Sequence, residues 1–182
     1  MAGRPKLAVA VGPHDHALGD SRAPLTLVQY GDYTCPYTRR ASANVALARH
    51  KLGKRVRYVF RHFPREDLNA EAVLLAEAAH AAAAQGRFWE MHHLLLEADE
   101  GLEGVAHHAK VLGLDVGRLL SELQARTYRV HVETERAGGL SSGVSSTPTI
   151  FVNDTRHVGS WEPMALFRAL GGAPALARSA HL

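Results

Sequence analysis

The sequence predicts an α/β domain whose elements run βαβ, then a helical block, then ββα. Three observations predict it. Two short apolar, β-branched runs, Leu25–Tyr30 and Val56–Phe60, flank a helical stretch. From about residue 65 to 140 one helical pattern follows another, and strand signals return at Thr149. Two strands joined through a helix require parallel pairing and a right-handed crossover.

Residues 1–24 hold Gly, Pro, His and Asp and read as an irregular lead-in. Leu25–Tyr30 is a mostly buried strand, broken by Gly31 and Asp32. A helix follows Cys35. Pro36 sits in its first turn, where a missing N–H costs nothing, and Gly53 ends it after about Leu52. Val56–Phe60 alternates and forms the second strand. In the helical block, Asn69 caps a helix running to Gln85 and Gly86 stops it. Phe88, Met91 and Leu95 mark one face of the next helix. Val105, Ala109 and Leu112 recur at helical spacing up to Gly113, and Asp115 caps a short helix with Leu119 and Leu123 inward. A last stretch, about Thr127 to Ala137, leads to Gly138-Gly139. Thr149–Asn153 is then a strand, Asn153-Asp154 a turn, and Arg156–Gly159 a short return strand. Pro163 opens a helix over Met164–Leu170, closed by Gly171-Gly172.

Composition narrows the function classes. The chain has 182 residues, 46% apolar and 21% charged, enough for one domain with a sizeable core and no need of disulfides or structural metal. The net charge of +3 is small and no basic run stands out, so no nucleic-acid partner is expected. The apolar run Leu7–Val11 is shorter than the roughly 7–15 residues of a signal-peptide core. No stretch approaches the ~20 apolar residues of a membrane span. With Met1 at its start and a single cysteine, the chain reads as complete and cytoplasmic.

That cysteine carries the chemistry. Cys35-Pro36 stands where strand passes into helix. The first helical turn offers unpaired N–H groups and the positive end of the dipole, and both favour a thiolate. Taken alone, the motif fits a reactive thiol and a small buried residue in a tight turn equally well. Thr147-Pro148, directly before the third strand, adds a proline at a strand entrance.

Together these pieces resemble the thioredoxin superfamily, most closely its DsbA-like branch. The matching segments are Leu25–Tyr37, Val59–Pro64, Gln85–Trp89 and Gly143–Asn153, over about Val11 to Leu170. The resemblance implies a thioredoxin-like fold in one domain: core at 25–64 and 141–171, helical insertion at 65–140. It implies that Cys35 is the nucleophile, that Pro36 and Tyr37 tune it, and that Thr147 and a cis Pro148 face it. The backbone there would pair with the substrate as an added strand. Implied partners are protein disulfides and an acceptor or donor of electrons.

Two departures change the expected cycle. Thr38 stands where the family has its second cysteine, so no internal disulfide can form. Gln29 stands where related proteins commonly bury an acid that handles the resolving cysteine's proton, and it cannot transfer one. The expectation is therefore a monothiol oxidoreductase acting on disulfide-bearing or glutathionylated proteins. Glutathione or another low-molecular-weight thiol would resolve it as co-substrate. The alternatives are an inactive thioredoxin-like binding or scaffold module and a single-cysteine redox sensor. Thr38 has two readings: a hydroxyl donated toward the sulfur, or one bonded back to the helix backbone.

Other residues weigh less. Asp32 reads as a turn residue. His50 and His62 read as surface or interface residues, and Phe88, Trp89 and Trp161 as core. Of the 12 histidines, the tightest groups are His14/His16, His92/His93 and His107/His108. Helix neighbours point about 100° apart, so the two adjacent pairs chelate poorly, and no metal site is expected.

Overall fold

The computed structural model describes residues 4–98 and 101–171. Met1 and Gly172, both named above, lie outside the described residues. A five-stranded sheet, ordered β1-β3-β2-β4-β5, carries the fold. Its strands are β1 (His16–Leu18), β2 (Leu25–Gly31), β3 (Val56–His62), β4 (Thr149–Val152) and β5 (Thr155–Arg156). β2 and β3 pair in parallel, as the βαβ pattern requires, with Gln29 opposite Phe60. β4 pairs antiparallel to β2, placing Ile150 opposite Gln29.

Alternation sorts the sheet's side chains onto two faces. Leu27, Tyr58, Phe60 and Ile150 join Val45, Ala48 and Leu52 of α1 (Pro36–Leu52) and Leu166 and Leu170 at α7 (Pro163–Ala169). Val28, Tyr30, Val59 and Phe151 form a second cluster with Phe63 and Val144. Between the two halves of the sheet run α2 (Ala72–Ala83), α3 (Phe88–Glu97), α4 (Gly101–Val111), α5 (Val116–Gln124) and α6 (Arg129–Ser141).

Four local expectations are corrected. The lead-in is not irregular throughout: His16–Leu18 pairs antiparallel with β3, and Lys6 bridges to Thr155. Arg61 on β3 organises it. Its guanidinium takes both oxygens of Asp15, at 2.7 and 3.0 Å, and the carbonyls of Val9 and Ala10 at 2.8 and 3.1 Å. A strand held by a distant arginine leaves no periodic signal. The second correction concerns α2. Asn69 caps a preceding turn, its Oδ1 accepting from Glu71 N at 2.8 Å, and the helix begins at Ala72.

Third, Gly138-Gly139 does not end a helix; α6 continues to Ser141. These glycines permit close approach. A Cβ on Gly139 would lie 2.7 Å from the Phe63 ring and 3.1 Å from that of Tyr30. Fourth, the return strand is only Thr155–Arg156, reached through Asn153 at φ +56°.

Candidate active site

β2 delivers the chain to the site through Gly31. A Cβ there would meet the Phe60 ring at 2.6 Å and Thr38 Cγ2 at 2.7 Å, so only glycine lets the first turn of α1 seat against the sheet. Asp32 then reverses the chain as an Asx turn. Its Oδ1 accepts from Thr34 N at 2.9 Å and Thr34 Oγ1 at 2.8 Å, and its Oδ2 from Arg65 N at 2.8 Å. The turn role expected for Asp32 is the one observed.

Cys35 is the N-cap of α1, with extended backbone and no side-chain capping bond. Its sulfur, half-buried, is thus left over the unpaired N–H groups of the first turn. Sγ donates to the Thr147 carbonyl oxygen at 3.4 Å. The Thr147–Pro148 peptide bond is cis. Both residues remain half-exposed. The site therefore brings Cys35 and Thr147 together across residues far apart in sequence.

Thr38 has a third partner besides the two expected for it. It is fully buried, and its Oγ1 accepts from Asp32 N at 3.2 Å. The hydroxyl thus steadies the loop that presents the thiol, while the carbonyl of Thr147 meets the sulfur. Pro36 is exposed and Tyr37 is 60% exposed, its ring centroid 6.3 Å from that of Trp161. Trp161, expected in the core, is only partly buried and borders this rim. Phe88 is buried and Trp89 partly so.

Gln29 is fully buried. Its Nε2 donates to Ser42 Oγ at 2.9 Å and its Oε1 accepts from Tyr58 OH at 3.1 Å. Burial pushes the Tyr58 phenol up, so this trio stays neutral. Nothing in it carries a proton to or from a second thiol.

Sequence reasoning missed Arg65. Its backbone holds Asp32, and its Nη1 donates to the Ser145 carbonyl at 3.2 Å, two residues before Thr147. One residue thereby ties the thiol loop to the cis-proline loop. No local pattern marks such a bridge.

His62 corrects another expectation. It is 1% exposed, not at the surface, whereas His50 is exposed, as expected. Both His62 N and Nδ1 donate to Glu135 Oε2, at 2.7 and 2.6 Å. Its Nε2 lies 3.3 Å from Tyr33 OH, which lies 3.0 Å from His92 Nδ1. Burial, then the neighbouring histidines, hold His92 well below the usual imidazole range. Burial alone would raise Glu135, but the charge and hydrogen bonds of His62, with His80 close by, carry it well below the carboxylate range. A buried network thus starts two residues before Cys35 and runs to α6.

The comparisons with known proteins agree with this geometry. A family model described as Thioredoxin matches residues 12–170. The Na(+)/H(+) antiporter NhaA 1 of Mycolicibacterium gilvum is 38% identical over 172 residues, 91% of this chain but 28% of that protein. The protein of the same name in Salinispora arenicola is 42% identical over 170 residues, 92% of this chain and 26% of its own length. The chain thus spans roughly a quarter of these curated relatives. A thioredoxin-like oxidoreductase from Silicibacter pomeroyi superposes with TM-score 0.75 at 30% identity, over 89% of this chain and 95% of that one. Oxidised BdbD from Bacillus subtilis shares the fold at TM-score 0.79 and 22% identity, over 93% and 95%. Among the described residues no helix is long and apolar enough to cross a membrane. The chain belongs to the thioredoxin superfamily, with the fold of DsbA-type oxidoreductases.

Proposed function

We propose that the chain is a monothiol thiol–disulfide oxidoreductase working through Cys35. One observation carries this reading: a half-buried Sγ at the N-cap of α1, beside the Thr147 carbonyl, with a buried threonine one turn on. The Cys35 thiolate attacks the sulfur of a glutathione mixed disulfide. The S–S bond breaks, the protein thiolate leaves and takes a proton from water, and Cys35 carries the glutathionyl group. A second glutathione thiolate attacks that adduct, releasing oxidised glutathione and regenerating Cys35. Another low-molecular-weight thiol would serve equally, and no resident cofactor is invoked.

The other residues support this cycle. Thr38 holds the loop through Asp32 N, and the neutral Gln29 trio suits a site with no second thiol to titrate. The half-exposed Thr147–Pro148 segment offers an incoming chain an added-strand contact beside the sulfur, with exposed Pro36 and Tyr37 nearby. A reducing, cytoplasmic compartment would supply the thiol. The test is turnover of a glutathionylated protein or peptide with glutathione as reductant, set against dithiol oxidation of a reduced peptide. The first should exceed the second and vanish in Cys35→Ser. Absence of thiol-dependent turnover, or turnover unchanged in Cys35→Ser, would overturn the proposal.

A second reading is favoured by one finding, that the relatives at 38–42% identity bear antiporter names over a much longer chain. On that reading the domain is a binding module attached to or paired with a membrane transporter. A Cys35 inert to alkylation, with transporter binding unaltered by Cys35→Ser, would select it over the enzyme.

A further inference from the structure

We infer that the fold builds a second site, a divalent-metal site of the zinc class, from His16, His80 and Glu135. The three come from β1, α2 and α6. One donor atom from each lies within 4.8 Å of the other two. His16 Nε2 stands 3.3 Å from His80 Nδ1, and His80 Nε2 stands 3.5 Å from Glu135 Oε1. Zinc bound at about 2.0–2.2 Å in a tetrahedron sets donor–donor edges of about 3.3–3.6 Å. His80 gives one nitrogen to an ion, so loading requires the widest of these separations to close by about an ångström. His16 is the residue free to supply that movement, being half-buried on a three-residue edge strand.

The surroundings are those of a ligand set. His80 is 7% exposed, and its buried Nε2 makes no hydrogen bond although it faces Glu135. An unbonded buried nitrogen is costly unless something takes its lone pair or its proton. Glu135 has one oxygen committed: Oε2 accepts both bonds from His62, which leaves Oε1 presented to His80. His62 is fixed in turn by Tyr33. Such an outer shell orients a carboxylate ligand and sharpens its donor atom. The His16 ring lies flat on Phe88, centroids 3.6 Å apart at 11°, a contact that orients the ring and lets it slide in its own plane.

A cavity of about 510 Å³ gives entry and room for the remaining ligands. His80 and Glu135 line it together with His14, Asp15 and His131. Two imidazoles and a carboxylate suit Zn²⁺, Ni²⁺ and Cu²⁺ better than Mg²⁺ or Ca²⁺. Three protein ligands beside a cavity match a zinc site with an open position, filled by water.

The experiment is calorimetric titration of the full chain with Zn²⁺, and absorption titration with Co²⁺, in Cys35→Ser as well as the parent so that the thiol cannot be the ligand. One ion per chain is expected, in both backgrounds, with visible Co²⁺ bands of a four- or five-coordinate site. His16→Ala should weaken binding at least about 10-fold, and exposed His107→Ala should leave it unchanged. His80→Ala and Glu135→Gln should do the same as His16→Ala. Where either fails to fold, the Zn²⁺-dependent rise in melting temperature of the parent, absent in His16→Ala, decides. No stoichiometric binding, binding that survives His16→Ala, or binding lost with Cys35 would each overturn the site.

Discussion

Cys35 and Glu135 sit in surroundings made in opposite ways. The thiol meets main chain: the N–H groups of a helical turn, the Thr147 carbonyl, a loop pinned by Asp32. Glu135 meets side chains, His62 and His80, delivered by a strand and a helix distant in sequence. Backbone partners are supplied by any sequence that makes the turn. Side-chain partners must each be the right residue. The difference teaches that the rim around Cys35 tolerates substitution in stability but not in chemistry, and the buried network the reverse.

The largest expected effect tests the first half. Cys35→Ser should lower turnover of a mixed disulfide by roughly 100-fold or more, since nothing replaces the nucleophile. Its stability in urea should stay within about 0.5 kcal/mol of the parent, because the sulfur makes one long bond to Thr147. A destabilised but active Cys35→Ser would break the comparison.

Next comes Glu135→Ala, which strips the acceptor from two buried donors of His62. It should cost about 3 kcal/mol in equilibrium unfolding while leaving turnover per folded molecule close to the parent's. A stable variant with lost turnover would show instead that the network serves the thiol.

Acid should reveal the same region. His92 is neutral in the fold, well below 6.5, whereas the unfolded chain takes up the proton as pH falls past 6.5. Stability is therefore fully present above that value. It declines below it by up to about 1.4 kcal/mol per pH unit, until the folded value is reached. Glu135, depressed in the fold, adds a second loss beginning below about 4.5. Urea midpoints at pH 7.5 and 5 should draw closer together in His92→Gln; an unchanged spread would exclude His92 as the source.

The smallest effect belongs to Arg65→Ala. Removing the guanidinium frees the Ser145 carbonyl but keeps the backbone bond to Asp32. About 1 kcal/mol of stability should go. KM for a protein substrate should rise more than kcat falls, because the loop that receives it is loosened. An equal fall in kcat alone would place Arg65 in the chemistry.

Much of this was legible in the chain. Leu25–Tyr30, Pro36 and Gly53 bounded β2 and α1 through local rules, because caps and strand runs are short-range effects. Cys35 and Thr147-Pro148 were legible as motif positions, and the missing thiol at Thr38 as a departure from one. Gly138-Gly139 misled, since a glycine that relieves close packing reads like one that stops a helix. His62 misled because an exposed and a buried histidine on a strand end have the same local pattern. β1 was invisible because Arg61, far along the chain, holds it.

The sequence by itself determined the order of elements from β2 onward, the single thiol and the absence of a second one to partner it. These depend on residue identity and on spacing within one turn or strand. Only the tertiary structure decided what Thr38 does, that Arg65 joins two loops, and that His16, His62, His80 and Glu135 meet. Those facts depend on which faces the sheet and helices bury against each other, and burial brings together residues whose separation in sequence carries no signal of contact.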